Sequence, residues 1–316
     1  MEWYYIVLII LGGIVVLLSL LFPFILSYLL YSIHMVRTSK KKWGRQCSAL
    51  NNEEQLKMWN DGLDYISSYK DKIVELSIES DGLKLYGEYV NIGAKRTVII
   101  MGGRCECLYY AYYYAKPYLE NNCNVFVFDS RAHGKSEGKI NTVGFFECKD
   151  VIKWAELLHD IYGNKEIYLH GTCIGAATGI HALAEKNCPK YISKIITDGL
   201  YPTYYETFKN HMIEQKRPLW PALDLCFVFY KLFGKIDAKK EGPITKICNV
   251  KADIMLISGY KDKYVFPEMT KQLYDLCPSA NKQYHFLNEG GHSHLRINQV
   301  EEYDNLVINF IGKDYE

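Results

Sequence analysis

Two hydrophobic patterns divide this chain. From Tyr4 to Ile33 there is no charged residue, and Ile6 to Leu30 is almost wholly apolar. As a helix that stretch would rise about 37 Å, enough to cross a bilayer core of roughly 30 Å with some tilt. Trp3, Tyr4 and Tyr5 at one end and Tyr28 and Tyr31 near the other suit the two interfaces, and Pro23 is a place for a kink. A cleaved signal peptide fits less well. The stretch has no basic start, is too long, and no small-residue cleavage site follows it.

Beyond residue 70 the pattern changes to short apolar runs alternating with amphipathic stretches. A lead-in helix is expected over 51–70. Strands are expected at 72–78, 83–90, 96–101, 124–129, 166–170, 191–198, 253–258 and 283–287. Helical spacing marks 108–119, 143–159, 174–185 and 301–311. Strands buried on both faces and separated by helices predict an α/β fold with a mainly parallel sheet, helices on both faces, and a site at the carboxyl ends of the strands. Residues 201–248 break the alternation. Pro202, Pro218, Pro221 and Pro243 punctuate them, and Leu219 to Phe233 is apolar around much of its circumference. An inserted helical cap fits that length better than a plain crossover. The expected organisation is a transmembrane anchor at 1–33, a basic juxtamembrane segment with the lead-in helix at 34–70, and a catalytic domain at 71–316 with its cap at about 201–248.

Charge refines this picture. The 316 residues carry 37 basic and 36 acidic side chains, a net charge of +1. No global field favours nucleic acid. Arg37, Lys40, Lys41, Lys42 and Arg45 follow the span, whereas only Glu2 and the terminal amine precede it. The positive-inside rule puts a single-pass protein in the cell membrane with its catalytic domain on the cytoplasmic side. The same cluster would also suit anionic headgroups. The ten cysteines form no CxxC pair and no dense framework, which suggests free thiols in a reducing compartment.

The candidate chemistry begins after the strand ending at His170. Gly171-Thr172-Cys173-Ile174-Gly175 stands in a strand–turn–helix context, a G-x-S-x-G nucleophile elbow with Cys in place of Ser. Small residues two positions either side let strand and helix approach closely. A helix N-terminus favours the thiolate form of a nucleophile. A buried core cysteine in a tight turn is the competing reading.

Other segments extend the pattern. Asp129-Ser130-Arg131-Ala132-His133-Gly134-Lys135-Ser136-Glu137-Gly138 resembles the D-x-R-x-H-G-x-S-x-G segment of α/β-hydrolases. Ser258-Gly259-Tyr260-Lys261-Asp262-Lys263-Tyr264-Val265 resembles their acid loop, and Gly290-Gly291-His292-Ser293 their histidine loop. The resemblance to the α/β-hydrolase superfamily covers about residues 70–316. Within it the chain is most similar to single-span bacterial hydrolases of the serine-aminopeptidase-like type, with Cys in the elbow as in dienelactone hydrolases. It implies the α/β-hydrolase fold and a triad in the order Cys173, Asp262, His292. It also implies oxyanion donors at the backbone N–H of Ile174 and of Gly103 or Arg104. Asp198 is a rival acid and His294 a rival base. His133 and Asp129 are expected to be structural residues of their turn. The His292-x-His294 pair invites a metal, but no ligand cluster completes it, and no cofactor is expected. The run Tyr109-Tyr110-Ala111-Tyr112-Tyr113-Tyr114 suggests a packed helix face, and Arg104 faces either substrate or solvent.

Two departures bear on the reaction. Met101 stands where relatives carry the His of His-Gly. Cys in place of Ser shifts the expectation from peptidase toward ester or thioester hydrolysis, because an amide's poor leaving group favours expulsion of the thiolate instead. The lead expectation is therefore hydrolysis of a carboxylic ester or thioester of a small, apolar acyl substrate. The alternatives are acyl transfer on the same triad, a peptidase, or a hydrolase fold whose site has decayed into a binding module.

Overall fold

The computed structural model describes residues 3–39, 43–47 and 50–312. The chain begins with one long helix, α1, Trp3–Met35, which continues through Pro23 although that residue has no N–H to donate. The Ser27 hydroxyl donates to the Pro23 carbonyl at 2.6 Å. Side chains from Trp3 to Phe22 are exposed, which is about 30 Å of apolar helix. This helix is long and apolar enough to cross a membrane. Its last turns behave differently. Ser27, Leu30, Tyr31, His34 and Met35 are buried against the body. The end of the expected anchor is therefore part of the hydrophobic core.

The juxtamembrane segment is tied down by ionic and backbone contacts. Arg37 donates to the carbonyls of Gly134 and Ser136. Arg45 bridges Asp129 at 2.7 Å and Glu88 at 2.8 Å. Lys40, Lys41 and Lys42 lie outside the described residues. Helix α2, Glu53–Ser67, starts at Asn52, whose side chain accepts from Gln55 N at 3.0 Å.

Eight strands follow in one sheet: β1 Ile73–Ser80, β2 Leu83–Val90, β3 Arg96–Met101, β4 Asn124–Phe128, β5 Glu166–Thr172, β6 Ile192–Asp198, β7 Asp253–Gly259 and β8 Lys282–Leu287. Their order is β1-β2-β4-β3-β5-β6-β7-β8. β1 and β2 pair antiparallel, as do β2 and β4. All pairs from β4 to β8 are parallel. Strands β3 and β4 are buried throughout, as runs rich in Val, Ile and Phe must be when helices cover both faces.

The covering helices are α3, Glu147–Asp160, and α4, Ile174–Leu183, then α5, Tyr204–Glu214, and α6, Ala222–Phe233, of the cap, and finally α7, Pro267–Leu276, and α8, Val300–Ile311. Every residue of α4 is buried. Its Gly and Ala positions let it lie close against the sheet. Helix α6 packs on the end of α1, with Tyr28 5.5 Å from Phe229 and Tyr31 5.5 Å from Tyr230 between ring centres.

Two expectations are corrected. Residues 108–119 do not form one helix. They make two single turns and a 3-10 turn, Leu108–Ala111, Tyr112–Tyr114 and Lys116–Leu119. Tyr110, Tyr112, Tyr113 and Tyr114 are all buried. A regular helix would put one of those faces in water, so the segment winds irregularly instead. Helix α2 covers it, and a Cβ at Gly62 would lie 2.8 Å from the Tyr113 nitrogen. Helix α7 was not anticipated, because its polar surface leaves only Thr270 and Leu273 buried.

Candidate active site

Three loops at the carboxyl ends of β5, β7 and β8 meet at one cleft. Cys173 joins β5 to α4 with φ 51° and ψ −111°. That left-handed conformation is strained for a side chain with a Cβ. The neighbours explain how it is held. Cys173 N donates to the Asp198 carbonyl at 2.8 Å. A Cβ at Gly171 would lie 2.4 Å from Ala176 N, and one at Gly175 2.2 Å from the Met101 carbonyl. Both flanking glycines are thus required by close backbone approach. The thiol is half-buried and faces the cleft.

His292 lies after β8, with its side chain 12% exposed. Its Nδ1 donates to Asp262 Oδ2 at 2.7 Å. The thiol of Cys173 and this imidazole line the same cleft. Burial alone would lower the His292 pKa. The carboxylate of Asp262, and Cys173 after it, outweigh burial and hold it well above the ordinary value. Asp262 is oriented by its own loop. Its Oδ1 accepts from Tyr264 N at 2.8 Å and Val265 N at 2.9 Å.

The rivals are placed elsewhere. Asp198 is fully buried below the cleft, with Oδ2 accepting from Tyr303 at 3.3 Å and Oδ1 without a partner among the described residues. Burial pushes its pKa up to about 7. The hydroxyl of Tyr303 also meets His170, which in turn meets Tyr118. The Nε2 of His294 bonds Gln55 at 2.8 Å, so that ring is directed at α2. His133 accepts from Cys105 N through Nε2 and donates to the Arg131 carbonyl through Nδ1. Asp129 accepts from Leu108 N and Lys135 N. The segment 129–138 thereby braces the loop 102–108 that forms one wall of the cleft.

That loop holds the second expected oxyanion donor. Gly103 N donates to Glu106 Oε2 at 2.6 Å, so this N–H is occupied. The other oxygen of Glu106 accepts from Gln55 Nε2 at 2.9 Å. Neither Arg104 N nor Ile174 N has an acceptor among the described residues. Glu106 takes over the bracing of a loop in which Met101 replaces the usual histidine. The sequence offered no signal for this role, since Gln55 reaches Glu106 only through folding. The cleft, about 330 Å³, is also lined by Tyr204, Thr207, Phe208 and His211 of the cap and by Tyr264. No group of three or more His, Cys, Asp or Glu side chains able to hold a metal occurs among the described residues.

Comparison with known proteins agrees with this architecture. Residues 96–223 match a family described as the alpha/beta hydrolase fold. An uncharacterized protein of Bacillus subtilis, YqkD, is 28% identical over 57% of this chain and 59% of its own length. An uncharacterized membrane protein of Saccharomyces cerevisiae is 23% identical over 61% of this chain and 62% of its own. The chain thus spans about six tenths of the curated relatives it matches. Among solved structures, the Pyrococcus furiosus esterase Pf2001 is 26% identical with a TM-score of 0.64, covering 78% of this chain and 92% of that one. The chain has the α/β-hydrolase fold, preceded by an apolar helix long enough to span a membrane, and an esterase is among its structural relatives.

Proposed function

We propose that this protein is a membrane-anchored hydrolase that cleaves a carboxylic ester or thioester through Cys173, His292 and Asp262. One observation carries the reading. A cysteine in a strained strand–helix turn and an imidazole whose Nδ1 bonds a carboxylate line one cleft. In this reading His292 already holds the proton of Cys173, and the thiolate Sγ attacks the carbonyl carbon. The oxyanion is held by Ile174 N–H and by the N–H of Arg104, or by that of Gly103 once Glu106 withdraws. Collapse expels the alcohol or thiol, which His292 protonates, and leaves an acyl thioester on Cys173. Water, deprotonated by His292, then releases the carboxylic acid. Asp262 keeps the imidazole in the required tautomer. Membrane anchoring by α1 with the domain on the cytoplasmic side rests on the basic residues after the span and on ten thiols without a disulfide among them.

The occupied Gly103 N–H favours a second reading, a hydrolase-fold module without turnover. Intact-mass measurement of the full chain in detergent separates the two. Incubation with activated short-chain esters and thioesters is expected to add one acyl mass, absent in Cys173→Ala, with turnover in the wild type. No adduct and equal rates in both proteins would sink the hydrolase reading.

A further inference from the structure

The cleft contains a guanidinium that the proposed chemistry leaves unused. Arg104 follows Gly103, and its side chain lines the cleft near Cys173 and the cap phenols Tyr204 and Tyr230. Its single side-chain hydrogen bond among the described residues runs from Nη1 to Cys105 Sγ at 3.5 Å. Sulfur is a weak acceptor, whereas a guanidinium presents five donors and keeps its charge throughout the range in which proteins fold. Arg104 is half-buried and lines the cleft, so its remaining donors can take an anion that enters there.

The nearest acid in the loop does not compensate it. Both oxygens of Glu106 are engaged, one by Gly103 N and one by Gln55. Arg104 forms no ion pair with any described residue. Among the described residues it is also the one Lys or Arg in the cleft lining. His211 and His294 share that lining, and burial lowers both, His211 to about 4, so neither adds a charge near neutral pH. Among the described residues the lining therefore presents, besides His292 of the triad, one fixed cation, and Glu106 accepts from Gly103 N and Gln55 rather than from Arg104.

We propose that the substrate carries a carboxylate, bound by the Arg104 guanidinium beside the carbonyl that Cys173 attacks. A lone guanidinium matches a planar carboxylate through two parallel N–H bonds. A phosphate dianion would meet one cation with Glu106 close by in the same loop. Ile174, Tyr204 and Phe208 supply apolar contact for the carbon chain between the two ends. The substrate class is a half-ester or thioester of a dicarboxylic acid, or an acyl ester of a hydroxy acid. The location of the reacting carbonyl rests on the proposed role of Cys173, but the anion site does not.

The test has a kinetic and a binding arm, both on the full chain in detergent. The kinetic arm compares an aryl half-ester of glutaric acid with the same compound methylated on its free carboxylate. The wild type is expected to prefer the anionic ester about 10–100-fold in kcat/KM. Arg104→Gln brings that ratio near one, and Arg104→Lys retains part of it. A ratio cancels any loss common to both esters. In the binding arm, glutarate raises the thermal midpoint of the wild type but not of Arg104→Gln, whatever becomes of the hydrolase reading. A wild-type ratio near one, glutarate binding unchanged in Arg104→Gln, or stabilisation by inorganic phosphate but not glutarate would each overturn the proposal.

Discussion

At the residue scale, the site depends on backbone approach as much as on its reactive groups. Cys173 is held in a left-handed conformation because the atoms around Gly171 and Gly175 leave no room for a Cβ. Gly175→Ala would push its methyl against the Met101 carbonyl at the end of β3. We expect a loss of about 2–3 kcal/mol or more, read as a lower urea midpoint. Reactivity is also graded by environment. Burial pushes the thiols of Cys107, Cys148 and Cys226 up to about 12 and that of Cys188 to about 11. In a Cys248→Ser background, which removes the exposed thiol, iodoacetamide should modify Cys173 ahead of these four, and Ala at Cys173 should abolish the fast phase. Labelling of these four thiols as fast as Cys173 would count against a reactive Cys173.

Asp198 gives a pH dependence with a defined sign. Its carboxyl is raised from an ordinary value near 3.8 to about 7 by burial. Between those values the folded state holds the proton and the unfolded state has lost it. Stability from this group is therefore present at the acid end and lost as pH rises from about 4 to about 7. Other groups titrate in the same window, including His170 and His181, which burial lowers to about 3 and which act in the opposite sense. The difference between wild type and Asp198→Asn isolates the effect. The variant should gain on the wild type across that window, by an amount on the order of a few kcal/mol at most, in thermal unfolding from pH 4 to 8. A difference that does not change with pH would refute it.

At the element scale, helix α1 does two jobs. Its first twenty or so residues present apolar side chains outward. Its last turns pack on α6, where Tyr31 is 2% exposed and stacks near Tyr230 and Phe233. Tyr31→Ala should cost roughly 3 kcal/mol in denaturant unfolding of the full chain, which a simple tether would not show. Helix α2 has a comparable double role. Its outer face is charged, while Gln55 connects Glu106 of the cleft loop to His294 of the histidine loop. The lead-in helix was legible from its spacing and its cap. Its link to the cleft was not, because Gln55 is 51 residues from Glu106 and 239 from His294 in the chain.

At the scale of the whole molecule, the cap is seated between the cleft and the end of the span. Trp220, Leu232 and Phe233 are exposed on it. Sidedness is open to a direct measurement. Cys248 is exposed on the body, so in intact cells a membrane-impermeant maleimide should label it only after permeabilisation. Labelling without permeabilisation would place the domain outside.

The sequence by itself determined the strands, the long apolar helix and the strand–turn–helix around Cys173, because these are written in short periods and local turn chemistry. Strand β2 and strand β3 fall where alternation and apolar runs put them, and Gly171 and Gly175 mark the elbow two residues on either side of Cys173. Only the tertiary structure showed that Asp262 and not Asp198 bonds His292, since one lies just after a strand and the other at a strand's end, both within reach of the same edge of the sheet. It also decided that the tyrosine run winds irregularly under α2 and that Arg104 lines the cleft with no ion pair to a described residue. Those outcomes depend on contacts between residues far apart in the chain, which no local pattern encodes.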